Sequence, residues 1–299
     1  MSGTDVHAGE PIAAFGSTFQ NPILLASGTA GFGRELADAV DLDALGGLIT
    51  KSVSPEPRVG HPTPRVAEFA GGMLNAIGLA NPGVEAVARQ ELPWLAANLA
   101  RARVLVSVVG ATVDDYVTVV RRLSDQPVVV AFELNLSCPN TARGGEHFGA
   151  NDDVLRELVG RCREASARPV VAKLAPTLSD IGRTARIAVE AGADGITVVN
   201  TMPGLLFEDA ASAGPDRWPA RLGAGNGGVS GPMLLPIGVL ATQRVREATA
   251  VPVIGVGGIR SVGDVAQYVR AGATLVAIGT AGLADPRLPE RLAERWGRG

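Results

Sequence analysis

Residues 170–201 read VVAKLAPTLSDIGRTARIAVEAGADGITVVNT. The stretch opens on an apolar run, VVAKLAP (170–176), passes through a segment of helical periodicity over 179–192, and closes on a second run, GITVVNT (195–201). Ser179 precedes Asp-Ile-Gly as an N-cap and Gly192 stands as a C-terminal stop, so the unit is strand, helix, strand, the module of a parallel sheet. The same alternation continues in both directions. Upstream lie ILLAS (23–27), GLITKS (47–52), RVLVSVVG (103–110) and VAFELNLS (130–137), and downstream lie VPVIGVGG (251–258) and TLVAIGT (274–280). Further helices are expected over 33–44, 83–100, 112–125, 151–167, 232–249, 261–271 and 286–296, with Thr112, Asn151 and Ser261 as N-caps and Gly272 as a stop. Eight such strands predict an α/β fold, a closed (β/α)8 TIM barrel, as one domain over residues 1–299, since a barrel of this kind needs about 250 residues. AFGSTFQNP, ahead of the first strand, predicts a small hairpin at the barrel bottom, and residues 1–10 a disordered tail. Two connections, 53–82 and 202–231, are long for a compact domain and follow strands, which puts both on the catalytic face.

Composition narrows the function classes. Hydrophobic residues make up 46% of the 299 and charged residues 19%, the proportions of a large buried core. A formal net charge of −3, with no Lys/Arg-rich run, offers no basic surface for a phosphate backbone, so nucleic acid is not expected as a partner. Two cysteines, Cys138 and Cys162, form no CxxC pair, and His7, His61 and His147 show no metal spacing, so no metal is expected on this chain. The polar start MSGTDVHAGEP is unlike a signal peptide, and no run approaches about 20 apolar residues, which predicts a cytosolic, reducing location without a membrane span.

Barrels of this kind assemble their sites from strand ends and the loops just after them. Those positions carry Ser27, Lys51 with Ser52, Ser107, Asn135 with Cys138, Lys173, Asn200 with Thr201, Gly257 with Gly258, and Gly279 with Thr280. Lys51 and Lys173 are the only lysines among 27 basic residues, and in so arginine-biased a chain two compact ammonium groups at strand ends point to a geometric need. GGVSGP (227–232), GVGG (255–258) and IGT (278–280) let backbone N–H groups approach an anion where such barrels commonly seat a phosphate. That phosphate could belong to FMN or to a phosphorylated sugar. In ELNLSCPN (133–140) the chain turns at Pro139, so Cys138 is expected at the mouth on a mobile loop, hinged at Gly144, Gly145 and Gly149. A thiol with an ordinary pKa of about 8.5 serves as a general base once ionised, and nearby lysines favour its thiolate. Cys162, within RELVGRCREA, is taken as buried filler. Asn75, Asn135, Asn140 and Asn200 offer paired donors and acceptors suited to a heterocyclic, imide-like substrate.

These residues resemble a known family, the class 1 dihydroorotate dehydrogenases, through nearly the whole chain: NPILLASGTAGFG (21–33), LITKSVSPEPRVGHPTPRVAE (48–68), GGMLNAIGLANPG (71–83), ELNLSCPN, VNT (199–201), GGVSGP, GVGGI and IGTA. Cysteine within ELNLSCPN is similar to class 1, because class 2 enzymes carry serine there. TPRVAE followed by GGMLNAIGLANPG resembles the B subtype, whose catalytic chain pairs with an iron–sulfur flavoprotein subunit that uses NAD. The resemblance implies oxidation of dihydroorotate to orotate in pyrimidine biosynthesis, with Cys138 taking the C5 proton while hydride leaves C6 for flavin N5. It implies FMN held by Ser27, Lys51, Ser52, Asn135, Lys173, Val199, Gly231, Gly257, Gly258, Gly279 and Thr280, with Ser107 beside them. The pyrimidine would be held by Lys51, Asn75, Ala76, Ile77, Gly78, Leu79, Asn135, Asn140, Asn200 and Thr201. A homodimer or a heterotetramer with the partner subunit is the implied assembly.

Two departures stand out. Ser107 occupies a position where the B subtype usually has asparagine, and PGLLFEDAASAGPDRWPARLGAGN (203–226) is less like the family. Ser107 keeps open a related FMN-dependent oxidoreductase acting on another cyclic amide or dihydropyrimidine. A flavin-free phosphate-binding barrel with lyase or isomerase chemistry is the reading from a different class.

Overall fold

The computed structural model describes residues 9–137, 139–140, 146–208 and 219–298. Cys138 and the expected hinges Gly144 and Gly145 lie outside the described residues, as do residues 1–8 of the expected tail. Eight parallel strands close into a barrel: β1 (Ile23–Leu25), β2 (Gly47–Ile49), β3 (Arg103–Val108), β4 (Val129–Asn135), β5 (Val170–Leu174), β6 (Gly195–Val198), β7 (Val253–Val256) and β8 (Leu275–Ile278). Each pairs with its neighbours in chain order, and β8 closes on β1 with Ala277 opposite Leu24. All eight expected strands are present, and the α/β TIM barrel is the fold of the chain.

Among the described residues, seven α-helices of seven residues or more wrap the outside: α1 (Leu92–Asn98), α2 (Val113–Leu123), α3 (Asp152–Ala165), α4 (Ile181–Glu190), α5 (Leu235–Ala248), α6 (Val262–Arg270) and α7 (Leu288–Trp296). Local chemistry sets their starts. Thr112 and Ser261 each form a reciprocal capping box with an aspartate three residues on, and Asn151 accepts from the Asp153 and Val154 amides. The quoted unit differs in one cap: Asp180, not Ser179, accepts from the Arg183 N–H, because the helix starts at Ile181 and its carboxylate reaches that amide. The helix expected over 33–44 does not form. Gly31 and Gly33 sit at positive φ, and the amides of Gly33, Leu36 and Ala39 reach back only three residues, so isolated turns replace it, ending in a 3-10 turn at Leu42–Ala44.

Apolar side chains fill both sides of the barrel wall. Leu24, Ile49, Leu105, Ala131, Val171, Ile254 and Leu275 point inward, and the expected hairpin, Ile12–Ala14 paired with Ser17–Phe19, packs its Phe15 and Phe19 against that group. Phe15 sits against Gly195 at the start of β6, so the hairpin closes the bottom and leaves the opposite end as the mouth. Burying a phenylalanine such as Phe19 stabilises the closure by roughly 1.5–3 kcal/mol.

The two long connections join each other over that mouth. Met202–Gly204, Gly227–Ser230, Gly72–Asn75 and Val66–Phe69 make one antiparallel sheet, with Asn75 opposite Gly228, over a small core of Ala67, Leu74, Ala76 and Leu222. Among the described residues no helix is long and apolar enough to cross a membrane.

Candidate active site

The mouth is built from the ends of β4 to β8 and the sheet above them. Lys173 on β5 lies in register with Asn135 on β4 and Thr197 on β6. It is 6% exposed, and its ammonium donates to Glu133 Oε1 at 3.3 Å. Thr197 Oγ1 donates to the other oxygen of Glu133 at 2.9 Å. A carboxylate with no exposure is tolerated inside a barrel only because both oxygens are satisfied in this way. Glu133 was not among the residues expected at the site, although a single acid within the apolar run VAFELNL was a signal for it.

Above this pair, Asn200 Nδ2 donates to Asn135 Oδ1 at 3.1 Å, and the Thr201 amide donates to Asn200 Oδ1 at 2.8 Å. Three of the expected substrate residues are thus one hydrogen-bonded chain. Asn75 reaches the same region from the covering sheet, where its side chain donates to Gly228 O at 3.1 Å. The 75–79 segment is held by a residue the sequence reading missed: buried Asn81 donates to Leu79 O and Ser54 Oγ and accepts from the Ser54 and Gly83 amides. Asn140 lies in a two-residue strand, Pro139–Asn140, paired with Glu146–His147. Lys51, two residues beyond β2, is half-buried and has no ion-pair partner among the described residues. Ser52 and Ser107 share a 2.9 Å hydrogen bond, and Ser107, one residue from the end of β3 as expected, is fully buried.

The expected anion loops converge. Gly231 caps the 3-10 turn Pro232–Leu234 that leads into α5, and Thr280 Oγ1 donates to Ser230 Oγ at 2.7 Å, tying the loop after β8 to that turn. Gly258, at φ 73°, lies against the same turn: a Cβ there would come 2.6 Å from the Leu235 amide nitrogen. Only glycine allows that approach. Gly279, by contrast, has room around it, since a Cβ there would find Ala26 Cβ, at 3.8 Å, as its nearest neighbour. Backbone N–H groups at glycine loops beside a helix start are the kind of group that cradles an anion. Among the described residues no cluster of His, Cys, Asp or Glu could hold a metal ion.

The chain's only two tyrosines carry a further, unexpected part of the site. Both are fully buried. Tyr116 on α2 donates to Asn135 O at 2.6 Å, and Tyr268 on α6 donates to Gly257 O at 2.8 Å. Each fastens a mouth segment to the helix layer behind it. Burial, assisted by Asp264, raises the Tyr268 phenol well above its ordinary range, so its proton stays available. Cys162 on α3 is likewise buried, and desolvation pushes its thiol up to about 12 despite Arg161 nearby, which makes it inert filler as expected.

A family model described as Dihydroorotate dehydrogenase matches residues 12–296. The chain belongs to the dihydroorotate dehydrogenase family. Among its relatives, a protein of Geobacillus kaustophilus named "Dihydroorotate dehydrogenase B (NAD(+)), catalytic subunit" is 45% identical over 271 residues, covering 91% of this chain and 84% of that one. Proteins of the same name from Listeria monocytogenes (43% over 287 residues, 93% and 92% covered) and Anoxybacillus flavithermus (45% over 280 residues, 93% and 87% covered) are similar over the same extent. The resemblance to the B subtype therefore holds along the barrel and its covering sheet, the less similar 203–226 segment included in the matched span.

Proposed function

We propose that the chain is the catalytic subunit that oxidises dihydroorotate to orotate in pyrimidine biosynthesis, with FMN as its flavin. The family is flavin-dependent, and the residues present fit FMN: a buried cation on β5 for the ring, amides for its polar edge, and glycines at Gly231, Gly257, Gly258 and Gly279 for the phosphate. Bound there, FMN supplies the two-electron acceptor for the hydride that leaves C6 of dihydroorotate.

The chain's own groups do the rest. Cys138, as thiolate, takes the proton from C5. Lys173 offers positive charge to the ring, and Lys51, free of a protein counter-charge among the described residues, serves flavin and substrate carboxylate alike. Ser27, Ser52 with Ser107, Asn135, Val199 and Thr280 complete the flavin contacts. Asn75 to Leu79, Asn140, Asn200 and Thr201 hold the pyrimidine, and the covering sheet excludes water. The relatives' name, a catalytic subunit of an NAD(+) enzyme, supports a second chain as the route to NAD, which the family resemblance implies would be an iron–sulfur flavoprotein.

The observation that carries this reading is the Asn135–Asn200 amide pair beside a buried lysine, Asn135 lying in register with Lys173. It is tested by turnover with an artificial dye as acceptor. FMN-loaded protein is expected to form orotate from dihydroorotate and to leave dihydrouracil, which lacks the carboxylate, almost untouched. Equal rates on both, or no orotate, would refute it.

A further inference from the structure

Glu133 has no solvent exposure, and no flavin or substrate contact proposed above uses it. Opposite Val171, it sits two residues deeper in the barrel than Asn135, whose partner is Lys173. Its two oxygens take their bonds from the two following strands, Lys173 at 3.3 Å and Thr197 at 2.9 Å. A lysine ammonium rides on a flexible four-carbon stem and by itself keeps no fixed position. The carboxylate beneath it removes that freedom and places a negative charge directly behind the positive one.

We infer that Glu133 is the positioning residue of this site: it pins the Lys173 ammonium at the floor of the mouth and offsets its charge, and so sets the reduction potential of the flavin above. This rests on the proposal that Lys173 faces the flavin. Glu133→Gln keeps the shape, leaves an amide oxygen to accept a bond, and removes the offsetting charge. The exposed positive field then favours the reduced flavin, which carries more negative charge than the oxidised one. A preference for the reduced form at least tenfold greater corresponds to an upward shift of about 30 mV or more for a two-electron couple.

Spectroelectrochemical titration of FMN-loaded wild type and Glu133→Gln reads this shift directly. A higher potential in the variant supports the inference, and an unchanged or lower one overturns it. A second measurement needs no flavin. Lys51 and Lys173 are the only lysines, so protein labelled with 15N-lysine gives two ammonium signals, assigned with Lys51→Arg. Slow hydrogen exchange is expected for Lys173 in wild type and at least tenfold faster exchange in Glu133→Gln; equal rates overturn the inference. Thr197→Val, which keeps the charge pair and removes only the hydroxyl anchoring the carboxylate, is the milder variant should Glu133→Gln not fold. Faster Lys173 exchange is expected there too, and an unchanged rate contradicts the clamp. Wild type that takes up no FMN sinks the flavin assignment alone, because the lysine exchange still judges the clamp.

Discussion

Replacing Tyr268 with phenylalanine removes one oxygen from the helix layer and reaches the proposed anion cradle through a single bond. The ring is fully buried against Gly255, with its hydroxyl beside Gly238, so phenylalanine keeps the ring packing while the 2.8 Å bond to Gly257 O disappears. Among the described residues Tyr268 is the donor to that carbonyl, and an acceptor left without its partner costs about 1–3 kcal/mol when buried, so the low end is expected for this half-buried one. Because the carbonyl belongs to the Gly257–Gly258 loop, part of that cost should fall on ordering the cradle. We expect urea unfolding to shift by the low end of about 1–3 kcal/mol and FMN to bind up to about tenfold more weakly, since 1.4 kcal/mol corresponds to a factor of ten. Flavin fluorescence on titration with apoprotein measures the affinity. Both quantities unchanged within about 0.5 kcal/mol, the scatter of an innocuous surface substitution, would show that the bond does not hold the loop.

Two other outcomes follow from named groups. Native protein treated with iodoacetamide at pH 8 should keep Cys162 unmodified, its thiol being buried and pushed up to about 12; mass spectrometry finding that cysteine alkylated in folded protein would contradict the burial. Burial alone would raise Asp43, but the amides of Ala102, Arg101 and Ala100 outweigh it and hold its carboxyl below the ordinary range. A lowered folded pKa stabilises above the unfolded value near 3.8 and stops doing so as pH falls through the folded value. Wild type should therefore be more stable than Asp43→Asn at pH 7 and lose that margin below about pH 4, as urea midpoints would show; a margin independent of pH would contradict the role of the Ala100–Ala102 amides.

Much of this molecule was legible in local sequence. Strand identity survived because buried parallel strands are short apolar runs, and caps such as Thr112 and Ser261 act within three residues of themselves. The failures have the same physical root, since they depend on partners far along the chain or on competing local geometry. The 33–44 segment has helical composition, yet Gly31 and Gly33 break its start. The covering sheet joins Asn75 to Gly228, a pairing invisible to periodicity in either loop. Lysine scarcity led to Lys51 and Lys173, and the same argument applied to two tyrosines would have led to Tyr116 and Tyr268. Glu133 stood out only as one acid in an apolar run, and its role stayed hidden because that signal names no partner until Lys173 and Thr197 are seen to close on it.

The most direct test of the central claim is an anaerobic titration of FMN-loaded protein with dihydroorotate, following the visible flavin band and orotate together. The band is expected to bleach with one orotate formed per flavin, and Cys138→Ala to retain FMN without bleaching. A band that stays intact in the wild type, with no orotate formed, would contradict it.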